Sequence, residues 1–413
     1  MVLVSGSFRK VSAALIALTV AAGLSAPAAF ATDIRFTVPT YSTKTGPFFE
    51  QVAKDYQAEH PDVHVKIEMI PWDSLYQKLT TDIAAGAAPD MSIIGTRWLY
   101  DFAAQGIAEP LDGYMSPEFK SKFIDTFLSP STIDGKTMGL PVAASARAMM
   151  VNLDLFAKAG AEPPTTWDEL YEASKKLSKV DGIYPLALMG KGIETDAYFY
   201  YALWTFGGNI LTEDGRSALD QPQAIAAATF YKKLIDEKLT EPTPTNYAQT
   251  DIFNMFKEGR AAMVFTYPML IPQVKAESPN LKYAVLPIPN AGTKATYGVT
   301  DTLMVFASSK AKKEVADFIE FAYQDKYRQV FDEGEGFLPV TKAIADLDYY
   351  KTNADMQAFT AGLPYAKFAP AVSNWEEMAD AISRNLQRLY LGELSPEQAM
   401  KAAAAEVNTL LGK

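Results

Sequence analysis

Between residues 34 and 100 the chain repeats one pattern three times: a short apolar strand, a polar loop, then an amphipathic helix. Ile34 to Val38 is β-branched and aromatic and ends at Pro39-Thr40-Tyr41-Ser42-Thr43-Lys44, after which Phe48, Phe49, Val52, Ala53 and Tyr56 recur at helical spacing. Val63 to Met69 alternates apolar and polar, with His64 on the wet side. Trp72, Leu75, Tyr76, Leu79 and Ile83 then stripe a second helix, which Gly86 and Pro89 end. Met91 to Gly95 is a third strand and opens into Thr96-Arg97-Trp98. Such alternation builds a parallel sheet with crossover helices. Ligands of these sheets bind beyond the carboxyl ends of the strands, so Tyr41, Ser42, Thr43, Trp72, Asp73, Thr96, Arg97 and Trp98 are expected along one edge.

One stretch, Asp134 to Asn152, breaks the alternation. Two turn signals, Asp134-Gly135 and Met138-Gly139, lead into Leu140-Pro141-Val142, where Pro141 fixes its own φ and pushes Leu140 out of the helical region. We read Pro141 to Ala143 as a bridge rather than a core strand. It is the first crossing between two lobes, with Ser145 and Arg147 beside it. The alternation then starts afresh. Thr166 and Glu169 have the spacing of a capping box, and Tyr198 to Phe206, including Trp204, is an aromatic helix stopped by Gly207-Gly208. Ala261 to Thr266 is a strand that opens into Tyr267. Tyr297 to Thr302, with Thr300 and Asp301, reads as the second crossing, and Gly334 to Pro339, with Phe337, as a third. Trp375 to Leu389 is a helix closed by Gly392, and Ser395-Pro396 starts the last one. At 413 residues the chain is long for a single core. The expected lobes are residues 32–141 with about 302–336, and about 146–297 with about 340–413.

Composition narrows the function. Residues 1 to 31 read as a secretion signal: basic Arg9-Lys10, apolar Val11 to Ala22, and Ala29-Phe30-Ala31 as a cleavage site. The absence of cysteine removes disulfides, thiol chemistry and a lipid-modified cysteine, so a protein free in a periplasm is expected. Loss of the signal takes two cations and no acid, moving the net charge from -11 to -13, which argues against nucleic acid as a partner. No later stretch offers about 18 uninterrupted apolar residues. Two histidines, both before residue 65, leave little material for a Ser-His-Asp arrangement or a metal site, and neither nucleotide-binding glycine motif is met. No cofactor and no metal are expected. Paired carboxylates of a glycosidase stay open, because 49 acids allow many pairs.

The loops at the expected cleft set aromatics beside small polar groups: Tyr41 with Ser42 and Thr43, Trp98 with Thr96 and Arg97, Arg147 with Ser145, then Tyr267, Thr300-Asp301 and Asn374-Trp375. A sugar ring has an apolar C–H face and a rim of hydroxyls, so an aromatic plate with converging donors and acceptors suits it. Stacking adds roughly 0.5–1.5 kcal/mol beyond the buried area for aromatic pairs, and a similar scale is taken for a sugar face on such a plate.

Ala87-Ala88-Pro89-Asp90, Gly139-Leu140-Pro141, Val151-Asn152-Leu153-Asp154-Leu155-Phe156, Pro163-Pro164-Thr165-Thr166-Trp167-Asp168-Glu169-Leu170, Phe256-Lys257-Glu258-Gly259-Arg260-Ala261-Ala262-Met263 and Gly392-Glu393-Leu394-Ser395-Pro396-Glu397-Gln398-Ala399 stand in an order that resembles a known family. It is family 1 of the extracellular solute-binding proteins of ATP-driven importers, and the resemblance covers essentially the whole chain after residue 31. It implies an α/β, two-lobed periplasmic binding protein fold of type II, maltose-binding-protein-like, with hinge crossings and an interlobe cleft. It also implies a small-molecule carbohydrate or polyol as ligand and the permease subunits of an ABC transporter as partner. Trp375 stands where the family often puts a stacking tryptophan, and Arg97-Trp98 in the loop that commonly meets the sugar. After Ala262-Met263 the family usually has a glycine and then a tryptophan. This chain has Tyr267 and Met269, so that plate is missing or moved to Tyr267.

The resulting expectation is a monomeric binding protein without catalysis. A carbohydrate-active hydrolase or lyase, and a binder of a non-sugar solute, are the alternatives. Arg97 and Arg147 raise the further option of an anionic ligand such as a sugar acid, set against pairing of each arginine with the chain's own carboxylates.

Overall fold

The computed structural model describes residues 1–3, 32–192 and 194–413. The expected secretion signal, apart from its first three residues, lies outside the described residues. Strand β1 (Thr32–Thr40) pairs in parallel with β2 (Val63–Pro71), in register from Thr32 opposite Val63 to Thr40 opposite Pro71. Strand β3 (Met91–Gly95) joins β1 from its other side, also in parallel. The alternation of strand and helix is thus realised as read, and the helix Thr45–Glu59 buries Phe49, Val52, Ala53 and Tyr56. Ile93 and Ile94, neighbours in β3, point to opposite faces. Ile93 joins the core around Phe36, Phe49 and Phe318, and Ile94 a second cluster with Leu75, Leu79 and Trp98.

A hairpin of β4 (Thr132–Ile133) and β5 (Lys136–Thr137) leads to β6 (Leu140–Ala146) and β7 (Ala148–Asn152). The second sheet takes β7 together with β8 (Tyr184–Ala187), β9 (Ala261–Thr266) and β10 (Tyr283–Leu286), in the order β10-β7-β9-β8. Its core gathers Met150, Trp167, Tyr198, Tyr231, Phe265 and Leu386. Strand β11 (Thr296–Val305) returns antiparallel to both β3 and β6, and β12 (Ala366–Lys367) pairs with its start. Local chemistry sets the helix ends. Asn152 accepts from Leu155 N at 3.1 Å, and Thr166 and Glu169 close the expected capping box.

Two expectations need correction. The Leu140–Ala146 segment is extended, but it is a buried strand bonded to β11 rather than a bridge standing clear of the sheet. Proline has no N–H for a ladder. Pro141 stands opposite Thr302, and the register slips there, between Asp301 and Thr302. Val142, the extra residue of this bulge, gives its carbonyl to the Arg328 guanidinium. The third crossing is also displaced. Gly334 to Pro339 does not leave the first lobe: Leu338 N donates to Ala144 O at 2.8 Å, and Val340, Ile344, Tyr350, Met356 and Phe359 pack with the first core. Residues 340–350 thus lie with the first lobe and not, as expected, with the second, and the helix Ala354–Thr360 touches both: Met356 and Phe359 join the first core, while Asp355 accepts from the Tyr283 hydroxyl of β10 at 2.8 Å.

Candidate functional site

Where β6, β11 and β12 run between the two cores, the lobes face each other across a cleft. It holds two adjoining cavities of about 220 and 290 Å³, which share Trp72, Glu194, Val299 and Asp301. The bulge opposite Pro141 sets Asp301 on the ridge between them. Its carboxylate accepts from the Tyr41 hydroxyl at 2.6 Å. Burial pushes the Asp301 carboxyl up to about 7; Glu194 adds to the shift, while the Tyr41 hydrogen bond and Arg147 oppose it. Two aromatic rings wall the first lobe's side of the cleft, Tyr41 stacked on Trp72 at 6.3 Å between centroids, and the fully buried Trp98 backs Trp72 at 5.2 Å. Phe337 props Tyr41 edge-on at 4.8 Å.

The two arginines differ. Arg97, in the helix Thr96–Ala104, is bidentate to Glu376 through Nε and Nη2, the latter at 2.8 Å, and lies 3.6 Å from Asp196. Both acids belong to second-lobe helices, and burial pushes Asp196 up to about 6 while Arg97 pulls it back. Arg97 therefore joins the lobes and has little left for a ligand. Arg147, between β6 and β7, donates to Ser145 Oγ at 2.8 Å, lies over the Tyr267 and Tyr297 rings at 4.4 and 5.8 Å and, among the described residues, meets one carboxylate, Glu194, at 3.5 Å. Its face remains turned to the cleft.

Of the residues expected at the site, Tyr41, Trp72, Asp73, Ser145, Arg147, Tyr267, Asp301 and Phe337 line the larger cavity, and Thr96, Arg97, Trp98 and Thr300 the smaller one. Four are elsewhere. Ser42 accepts from Lys44 N at 3.0 Å at the mouth of the first helix, and Thr43 is exposed beside it. Trp204 packs on Tyr200 and Tyr297 in the second core, and Trp375 is fully buried there too. The stacking role expected of Trp375 is corrected: Asn374 turns the chain at φ 64, and the first turn of the helix drops its tryptophan into the core.

Several cleft residues escaped the sequence reading. Glu194, in the left-handed conformation at φ 71, reaches both cavities, and Lys191, Gln249 and Thr250 line the larger. Phe368 and Pro370 line the smaller. Gly298 makes room for Phe368, since a Cβ there would stand 2.7 Å from its ring. The only sequence signals were Gly190-Lys191-Gly192 before an aromatic helix and Phe368-Ala369-Pro370 between two helices. Among the described residues no three His, Cys, Asp or Glu side chains cluster as metal ligands.

A hinged pair of α/β lobes with a polar and aromatic gap between them defines a ligand-capturing protein rather than a scaffold of one rigid core. The chain belongs to the bacterial extracellular solute-binding protein family, whose model matches residues 40–329. A protein of Brucella abortus (strain 2308) named as a binding protein is 52% identical over 400 residues, covering 95% of this chain and 97% of that one. Two solved structures have the same fold. An ABC transporter solute-binding protein from Thermotoga lettingae, with α-D-tagatose bound, superposes at a TM-score of 0.86 with 26% identity over 92% of this chain and all of that one. Maltose-bound MalE3 of T. maritima gives 0.84 with 26% identity over the same shares.

Proposed function

We propose that this chain captures a sugar, oligosaccharide or polyol in its interlobe cleft outside the cytoplasmic membrane and hands it, unaltered, to the permease subunits of an ABC importer. The observation that carries the reading is the pairing, in one cleft, of the Tyr41-Trp72 wall with Asp301, Glu194 and Arg147. Aromatic faces take the C–H side of a ring, and carboxylates and the guanidinium take its hydroxyls. The tagatose and maltose held by the two solved relatives support the same class. Contacts from both lobes form together only when the cleft is shut, so ligand shifts the population toward the closed state. That closed shape is what a permease would recognise.

Export through a cleaved signal, a free periplasmic location and a monomeric state belong to the same proposal. Among the described residues no helix is long and apolar enough to cross a membrane. The test is native mass spectrometry of freshly purified protein for a carried-over ligand, followed by a melting screen over sugars, polyols, sugar acids, polyamines and amino acids. Sugars or polyols should raise the melting temperature and be recovered intact. Stabilisation by amino acids or polyamines alone would overturn the ligand class, and a cleaved oligosaccharide would favour a hydrolase.

A further inference from the structure

The two cavities of the cleft are chemically unlike. In the larger one, charged and polar side chains arrive from both lobes: Asp73 and Asp301 from the first, Arg147, Lys191 and Gln249 from the second. In the smaller one, apart from the shared Asp301 and Glu194, most of the polar groups are engaged with one another. Arg97 is bidentate to Glu376 and lies 3.6 Å from Asp196, its Nη1 buried without a hydrogen bond among the described residues, and the Thr300 hydroxyl donates to Thr96 at 2.9 Å, which in turn is bonded to Thr302. What remains there for a ligand is the apolar enclosure of Trp72, Tyr100, Val299, Phe368 and Pro370. Each cavity alone falls short of the roughly 300–1,000 Å³ usual for an organic ligand, and the pair falls within it. The ridge they share, Asp301 with Glu194, is where a ligand lying across both would be joined.

We propose that the cleft takes a two-part glycoside: a hydroxyl-rich sugar ring among Arg147, Asp73 and Gln249, linked over Asp301 and Glu194 to a flat unit with few hydroxyls between Trp72 and Phe368. The second unit is aromatic or deoxygenated, because an ordinary sugar ring there would turn most of its hydroxyls toward this apolar enclosure, and unpaired polar groups are costly to bury. The proposal rests on the sugar reading given above.

The test is a calorimetric titration of the full protein with matched sets of free hexoses and pentoses, their phenyl glycosides, and their disaccharides. For the sugar series that binds, the phenyl glycoside should bind about tenfold tighter than the parent sugar and tighter than the disaccharide. Phe368→Leu keeps an apolar cover over Gly298 but removes the ring, and should narrow the tenfold gap to about twofold. Equal affinity for free sugar and phenyl glycoside, or tighter binding of the disaccharide, overturns the proposal while leaving the sugar reading intact. A gap that survives Phe368→Leu unchanged overturns the assignment of the smaller cavity. If no member of any set binds, this proposal and the sugar reading fall together.

Discussion

The two ends of the cleft treat one kind of side chain in opposite ways. At the Arg97 end a buried guanidinium is clamped by Glu376 and flanked by Asp196, and Asp101 of the same helix accepts from the Asn374 backbone at 2.6 Å, so two lobes are stitched by ions and a hydrogen bond. At the Arg147 end the guanidinium lies on Tyr267, touches Ser145 and leaves Glu194 at 3.5 Å. A charge in a gap between moving bodies either holds the bodies or meets what enters, and the number of partners it already has decides which. Arg97 with an anionic ligand would leave two carboxylates buried and unpaired. The option of a sugar acid thus loses one of its two arginines.

Breaking the contrast at its structural end should have the largest effect. Arg97→Ala strands the Glu376 and Asp196 carboxylates, which are mostly buried, and should cost about 3–5 kcal/mol in urea unfolding. The triple change Arg97→Met, Glu376→Leu, Asp196→Leu should cost less than the single one, since no charge is left behind. A single change costing under about 1 kcal/mol would refute the clamp, being what an exposed pair gives. The two tryptophans extend the comparison. Trp375→Ala should destabilise by about 3–5 kcal/mol through a core cavity, whereas Trp72→Ala, on the wall, should act mainly on ligand affinity.

At the ligand end, Arg147→Met should lower affinity for a neutral sugar about 10- to 100-fold, the worth of a charged hydrogen bond. Its effect on the melting temperature should stay well below that of Arg97→Ala. Calorimetry and thermal melts on both variants separate the two. If Arg147→Met lost as much stability as Arg97→Ala and no affinity, the distinction drawn between the two ends would be gone.

The first sheet was legible because its strands and helices are neighbours in sequence: the period changes at Pro39, Trp72 and Met91 mark the turns themselves. The third crossing was not. Ile344, Tyr350, Met356 and Phe359 announce apolar helical turns, but either core would bury them. What draws the start of this stretch to the first is long-range, Ile124 N to Val340 O at 2.9 Å and the bridge from Phe123 to Thr341. The same limit applied to the site. Its strand-end residues could be found because strand ends converge by rule. Glu194 and Phe368 sit on loops whose place depends on a left-handed residue and on a glycine that admits a ring. Trp375 misled because a tryptophan opening a helix is equally suited to a cleft and to a core, and only the turn at Asn374 chooses.

The smallest expected effect is on pH, and it bears on Asp301, which stands between the two ends. The folded chain holds the Asp301 proton up to about 7, against an ordinary value of 3.8. Between those values the native state binds more protons than the unfolded one, so without ligand this residue's contribution to stability falls as pH rises through that window. Ligand works the other way. Sugar hydroxyls donate to an ionised carboxylate, which is the better acceptor, so binding favours loss of the proton and affinity should fall as pH drops below about 7. A decrease of about three- to tenfold between roughly pH 7.5 and 5.5 is the expected scale. Asp301→Asn keeps the size of the side chain and removes the titration, so its affinity should be lower at neutral pH and nearly flat across the range. An equally steep pH dependence in that variant would shift the proton to another group in the cleft and take Asp301 out of ligand recognition.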